Sequence, residues 1–300
     1  MEEIGELIGK GFVTWKDNLI LCLPFLLSFI VSMLVFIPFL AAFAVGLAPL
    51  ASLNATSLNA ASANDIQDMV SRMDEAISSM GMQQIALAML LFLAMMLLLS
   101  LVSAFFTAGA IGMARQALET RKSDASSMWA AGKKHFLNLF FATILMGLMT
   151  LAGLVLLLPG AFLLPRTLPP EAGALGPLLA GIILFILYAL TLSLMLALAP
   201  YALVLENLGA VSAIRASLDF FRYNKFDVLV LWLVVLALSL GLQMISTTFS
   251  ASGGGAYPSL SLVTGLVSML VLSPLSNLWW TRLYMNRKGI LLVDEVKDPW

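Results

Sequence analysis

Long apolar runs alternate with short charged segments along this chain, and the alternation lays out six membrane spans. A hydrocarbon core of ~30 Å takes about 20 helical residues to cross. Runs that meet this requirement cover residues 19–50, 83–113, 138–163, 177–204, 228–249 and 260–281. At 1.5 Å per residue the first would be ~48 Å long. It is therefore expected to kink near Pro38, where the ring removes a backbone hydrogen bond, and to continue past the far membrane surface.

The polar segments between spans carry their own period. In Tyr201–Val228, Leu208, Val211, Ile214, Leu218 and Phe221 recur three or four apart, while Ser212, Arg215, Asp219 and Arg222 fill the opposite side. Such a helix between two spans is expected to lie flat in the headgroup layer. The first 16 residues repeat the pattern with Ile4, Leu7, Ile8, Phe12 and Trp15, and Asp17-Asn18 ends the helix. A third copy is expected at 123–137, capped by Ser123 or Asp124, with Met128, Trp129, Gly132 and Phe136 as its apolar face. The three can be superposed as GFVTWKDN (Gly11 to Asn18), GKKHFLN (Gly132 to Asn138) and SLDFFRYN (Ser217 to Asn224). Each has a ring (Trp15, His135, Phe221) three residues before an asparagine, and an apolar span follows. Duplication and convergence on one physical solution both account for this.

The expected fold is all-α: one membrane domain over 1–300, with six transmembrane helices and three amphipathic helices on one leaflet. Its parts are an interfacial helix at 1–18, a hairpin at 19–113, a second interfacial helix at 114–137, a hairpin at 138–204, a third interfacial helix at 205–227, a hairpin at 228–281 and a tail at 282–300. The external loop 51–81 should hold a short helix from Asn64 or Asp65, carrying Ile66, Met69, Met73 and Ile77. Asn54-Ala55-Thr56 fits a glycosylation sequon, a match that chance often supplies. Turns are expected at 164–170 and at Gly253–Gly255. Ser100, Ala104, Ala108 and Gly112 form a small-residue ladder where another helix can approach closely. Trp279, Trp280 and Tyr284, with Asn277, are expected to anchor the last span at headgroup level.

Composition sharpens the class. The chain is 61% hydrophobic and 11% charged, with a mean hydropathy of +0.99. A soluble domain carries roughly a quarter charged residues. No cleavable signal peptide is expected, because the acidic, amphipathic start precedes an apolar run too long for one. The formal charge of −1 conceals an asymmetry. One side of the expected topology holds Lys10, Lys16, Arg115, Arg121, Lys122, Lys133, Lys134, Arg215, Arg222, Lys225, Arg282, Arg287, Lys288 and Lys297; the other holds Arg72 and Arg166. This bias places both termini in the cytoplasm of a multi-pass cell-membrane protein. Anionic lipid there attracts each nearby cation by ~1 kcal/mol.

Candidate chemistry is sparse. No Asp, Glu, Lys, Arg or His stands in the middle of a span, where ion-coupled transporters keep them. Glu206, with Asn207 and Tyr201, is the deepest polar group and a candidate anchor for a ligand or an interfacial helix. His135, the single histidine, has only Lys133 and Lys134 close in sequence and reads as an interfacial side chain. Cys22, the single cysteine, reads as a small packing residue and excludes an intrachain disulfide. No nucleotide, zinc-protease or Asp-rich metal motif occurs, so no cofactor, metal or catalytic residue is assigned. Membrane lipids are the expected partners, with a second copy or another membrane protein as alternatives and no nucleic acid.

At the junctions the chain resembles something known. FTAGAIGMA (Phe106 to Ala114), SDASSMWAAGKKHFLNLF (Ser123 to Phe140), PYALVLENLGAVSAIRASLDFFRYN (Pro200 to Asn224) and the closing Pro274 with Trp280-Thr281-Arg282-Leu283-Tyr284 carry the likeness. Together they resemble a broad group of prokaryotic, notably archaeal, six-helix membrane proteins of unknown function. They are similar in layout to the membrane domain attached to some glycerophosphoryl diester phosphodiesterases. The catalytic barrel of those enzymes, with its His and Glu metal ligands, is absent, so the resemblance implies a topology and no activity. The leading expectation is a non-enzymatic structural or lipid-interacting module. A transporter or channel for a neutral or lipid-like substrate is second, and a membrane enzyme third. A polar cavity at mid-membrane depth would favour the second, a tight apolar core the first.

Overall fold

The computed structural model describes residues 2–46, 81–158, 172–252, 258–290 and 292. The helix expected within 51–81, Asn54, Arg72, Arg166, the turns at 164–170 and 253–255, and Lys297 lie outside them. Among the described residues every regular element is helical. Six helices are long and apolar enough to cross a membrane: Leu19–Ala42, Met82–Thr120, Ala125–Leu157, Leu179–Leu205, Lys225–Ile245 and Val263–Arg287. This is a multi-pass membrane protein.

Local chemistry sets the breaks. Helix α1 (Ile4–Asp17) stops at Asn18, whose Nδ2 bonds the Thr14 carbonyl at 3.1 Å and so competes with the backbone of the last turn. The same amide reaches Arg121 O at 3.0 Å, and Asn18 Oδ1 accepts from Ser123 N at 3.2 Å. A 3₁₀ turn at Leu19–Cys22 then leads into α2 (Leu23–Gly46). Pro24 falls in the first turn of α2, where a missing N–H costs nothing, and the helix continues through Pro38. Helix α3 (Met82–Thr120) ends on Arg121, in the left-handed region at φ 63°. Asp124 caps α4 (Ala125–Ala152) by accepting Ser127 N at 3.0 Å, as its sequence position implies. There follow a 3₁₀ turn at Gly153–Leu157, α5 (Ala172–Leu196), α6 (Ala199–Leu205), α7 (Ala210–Tyr223) and α8 (Lys225–Ser252). The chain closes with α9 (Pro258–Val267), a π turn at Ser268–Leu272 and α10 (Ser273–Arg287).

Two compact units result: Met1–Leu27 with Ala104–Trp300, and Ser28–Ser103. The smaller holds most of α2 and the first part of α3. Met95 is its buried apolar side chain among the described residues, and Leu34, Ile37 and Met89 face outward, as lipid-facing positions do.

The larger unit is organised around α10. From Asn277 to Asn286 every side chain is buried. The expectation of an aromatic anchor at headgroup level is thereby corrected: Trp279, Trp280 and Tyr284 are core residues. Their surroundings explain why. Helix α1 lies along α10, where a Cβ on Gly11 would come 2.5 Å from the Trp279 ring, and Trp279 Nε1 donates to Ile8 O at 3.1 Å. From α7, Phe220 stacks on Tyr284 with centroids 5.0 Å apart and planes at 16°.

Two further expectations are corrected. The segment 123–137 is no separate interfacial helix; α4 runs through Asn138 without a break. Asn18 is followed by Pro24, and Asn224 closes α7 by bonding Phe220 O at 3.2 Å. Asn138 is exposed and precedes only helix-compatible apolar residues, so nothing interrupts the turn. Helix α7 in turn packs its buried face, Ala213, Ile214, Ser217 and Phe220, on α4, α5, α6 and α8, with Ser217 Oγ donating to Met195 O at 2.7 Å. Val211, expected on the apolar face, is 54% exposed.

Helices α3 and α4 meet closely. Ala104 and Ala108 are buried, and a Cβ on Gly112 would lie 2.4 Å from the Ala131 Cβ. On Gly109 it would lie 2.6 Å from Met128 Cγ. Ser100, half-buried, belongs to the smaller unit. Because overpacking costs about 1–3 kcal/mol, Gly112→Leu is expected to lower the detergent melting midpoint clearly below that of Ser103→Leu, at an exposed position of the same helix. Equal midpoints would mean that the helices can part there without cost.

Candidate functional site

Two polar assemblies stand out in the larger unit. The first clasps α1 to α10. Arg282, with 0% of its side chain exposed, donates through Nε to Glu2 Oε2 at 2.9 Å and through Nη2 to Glu2 Oε1 at 2.7 Å. Lys10 Nζ reaches Glu2 Oε1 at 2.9 Å and Glu6 Oε1 at 2.7 Å. The Glu2 backbone is engaged as well, its N–H on Asn286 Oδ1 at 3.3 Å and its carbonyl on Arg287 Nη2 at 3.1 Å. Burial works to raise Glu2, but hydrogen bonds from Arg282 and Lys10 outweigh it and hold the carboxyl at about 2. Glu6 and Glu2 together push Lys10 up. Two further ties follow on the same helix end: Arg287 Nε to Asp227 Oδ2 at 2.7 Å, and Glu206 Oε1 accepting from Tyr284 OH at 2.6 Å and Lys288 Nζ at 2.8 Å. Burial raises Glu206 too, yet Lys288 and Tyr284 pull it below the usual carboxylate range. A general base works best with its pKa near the operating pH. Glu2 and Glu206 are held far below that and committed to cations, so this assembly is a clasp.

The second assembly is a cavity of about 320 Å³. Its wall is Phe25 of α2, Thr107 and Ala110 of α3, Tyr201 of α6, Val235 and Ser239 of α8, and Ser268, Leu272, Ser273, Ser276 and Asn277 of the π turn and α10. No charged side chain lines it. Asn277, in its wall, donates through Nδ2 to Ala110 O at 2.9 Å. Ser273 Oγ bonds Ser268 O at 3.0 Å across the π turn, and Cys22 Sγ takes Leu270 O at 2.9 Å. Cys22 thus does more than pack.

The structure separates the candidate anchor residues. Tyr201 lines the cavity; Glu206 belongs to the Tyr284–Lys288 cluster; Asn207, at φ 56°, accepts a hydrogen bond from Lys134 Nζ. His135 is buried on the packed face of α4. Among the described residues no three His, Cys, Asp or Glu side chains gather as a metal site. Sequence reasoning missed Glu2, Arg282 and Asp227 as partners, and it missed the serines of α10. A buried arginine at the end of a span asks for a carboxylate, but the sequence offers Glu3, Glu6, Asp17, Glu119, Asp124 and Asp219 at that end besides Glu2, Glu206 and Asp227, and does not say which one answers.

The family described as "Domain of unknown function (DUF7847)" matches residues 39–280. An uncharacterized protein of Archaeoglobus fulgidus is 28% identical over 105 residues, a stretch covering 35% of this chain and 35% of that protein. That match thus spans about a third of the relative's length. No solved structure matches the chain.

Proposed function

The chain belongs to the DUF7847 family, whose description assigns no activity, and we propose that it is a non-enzymatic cell-membrane module that engages anionic lipid at the end carrying α1 and α7. The observation behind this is a division among the cations. Lys10, Arg115, Arg222, Arg282, Arg287 and Lys288 are paired with carboxylates. Among the described residues Lys16, Lys122, Lys133, Arg215 and Lys225 are exposed and have no carboxylate partner. Exposed apolar side chains flank them: Phe12 and Val13 near Lys16, Val211 near Arg215, and Tyr223 (88%) and Phe226 (75%) beside Lys225. Cations next to apolar side chains that can enter the acyl boundary suit an anionic leaflet. With the positive-inside bias, that leaflet is the cytoplasmic one and both termini face the cytoplasm.

Delipidated protein in detergent, titrated with phosphatidylglycerol and phosphatidylcholine under native mass spectrometry, tests this proposal. Phosphatidylglycerol should be retained preferentially. At ~1 kcal/mol per cation, replacing Lys16, Arg215 and Lys225 by glutamine should weaken retention on the order of a hundredfold. Equal retention of both lipids, or no loss in the triple variant, would refute the assignment. A second reading, a carrier for a neutral substrate, is favoured by the cavity at mid-span.

A further inference from the structure

We infer that the cavity between α3, α6, α8 and α10 is a binding site for a small neutral molecule, or a neutral lipid headgroup, that carries several hydroxyl groups. The inference goes beyond the lipid contacts at the charged end and stands independently of them.

Its position comes first. Along α10 and the π turn, Ser276 and Ser268 lie six and fourteen residues before Arg282, about 9 and 21 Å at 1.5 Å per residue. The cavity therefore occupies the middle of a ~30 Å core, where a polar group without a partner is costly.

Its hydrogen bonding comes second. In helices of this unit Thr143, Thr150 and Thr191 satisfy their hydroxyls on the carbonyl four residues back, at 2.8–3.0 Å. Ser239 and Ser273 in the cavity wall do the equivalent. Thr107, Tyr201, Ser268 and Ser276 do not: among the described residues their hydroxyls have no hydrogen-bond partner. Asn277 uses its amide nitrogen on Ala110 O, which leaves its side-chain oxygen available as an acceptor. Four hydroxyl-bearing side chains and Asn277 thus line one space. These four side chains are half-buried and border the cavity, so a molecule that enters it can pair with their hydroxyls.

The ligand class follows from what lines the site. Each hydroxyl both donates and accepts, which matches another hydroxyl. No ionised group is present to compensate a charge, and an unpaired charge at this depth is strongly penalised. An ion or zwitterion is disfavoured and a neutral polyol favoured. At ~30 Å³ per water the cavity holds roughly ten waters, which suits a polyol of four or five carbons. The wall also contains a π turn, a distortion that frequently marks functional sites in helices.

Equilibrium dialysis of radiolabelled erythritol and xylitol against the full-length protein in detergent tests the site, at millimolar concentrations too low for general osmolyte effects. A parallel arm measures retention of a neutral monoglucosyl diacylglycerol, whose sugar headgroup keeps four hydroxyls, by native mass spectrometry and so separates a free solute from a lipid headgroup. Saturable 1:1 binding of one probe is expected. The triple variant Thr107→Val, Tyr201→Phe, Ser276→Ala keeps side-chain volume while removing three hydroxyls and should weaken that binding at least tenfold. Ser276→Leu, which removes one hydroxyl and narrows the cavity, should weaken it at least tenfold while the melting midpoint stays near the wild-type value. If the triple variant does not fold, Ser276→Leu alone decides the matter. Absence of saturable binding of all three probes, or binding unaffected by these variants, would overturn the proposal.

Discussion

An Arg282→Met variant should be among the least stable single substitutions in this protein, with its melting midpoint falling by on the order of 10 °C. The reason is the carboxylate left behind. Arg282 is fully buried and holds both oxygens of Glu2. Removing one partner of a buried pair typically costs about 3–5 kcal/mol, because the other charge stays desolvated without compensation. At ~2–4 °C per kcal/mol for a large domain this gives the stated shift. Lys10, itself partly exposed, can retain only part of the interaction. The double variant Glu2→Met, Arg282→Met removes both charges and should recover much of the loss, since apolar residues often replace a buried pair at little cost. The diagnostic is that order: the single variant below the double. A single variant that melts like wild type, or a double variant that melts lower still, would show that the clasp does not hold α1 on α10.

How legible this was in the sequence depends on the range of each interaction. The spans were readable because run length and composition are local. So were the ends of α1 and α7, where Asn18 and Asn224 bond the carbonyl of the preceding turn, and the Asp124 cap. The hub was not readable. Trp279, Trp280, Arg282 and Tyr284 at the end of an apolar run suit a headgroup belt and a protein core equally well. The choice between them rests on Glu2 and Glu206, 280 and 78 residues away. The apolar stripe of α7 carried the same ambiguity, since lipid and a neighbouring helix accept the same side chains. The cation count also merged two populations: those neutralised inside the clasp and those left exposed. The cavity was further out of reach. Its wall comes from five separate stretches of chain, and its hydroxyls become notable only when their lack of partners is visible.

Acid should undo the clasp, with a window set by Glu2. Its carboxyl titrates at about 2 in the fold against an ordinary 4.5. A depressed folded value means that the carboxylate form is what stabilises. The contribution is therefore complete above pH ~4.5 and is lost as pH falls from there towards 2. The difference corresponds to roughly 3 kcal/mol. Glu206, lowered by Lys288 and Tyr284 against the opposing effect of burial, adds in the same direction. Melting midpoints measured at pH 7, 5, 4 and 3 should be level between the first two and then fall. Glu2→Gln cannot titrate at this position, so its midpoint should lie below wild type at pH 7 and vary less with pH, and the gap between the two curves should narrow to roughly half by pH 3 and close only towards pH 2. If the curves instead run parallel from pH 7 to pH 3, the acid sensitivity belongs to another group and Glu2 does not set the window.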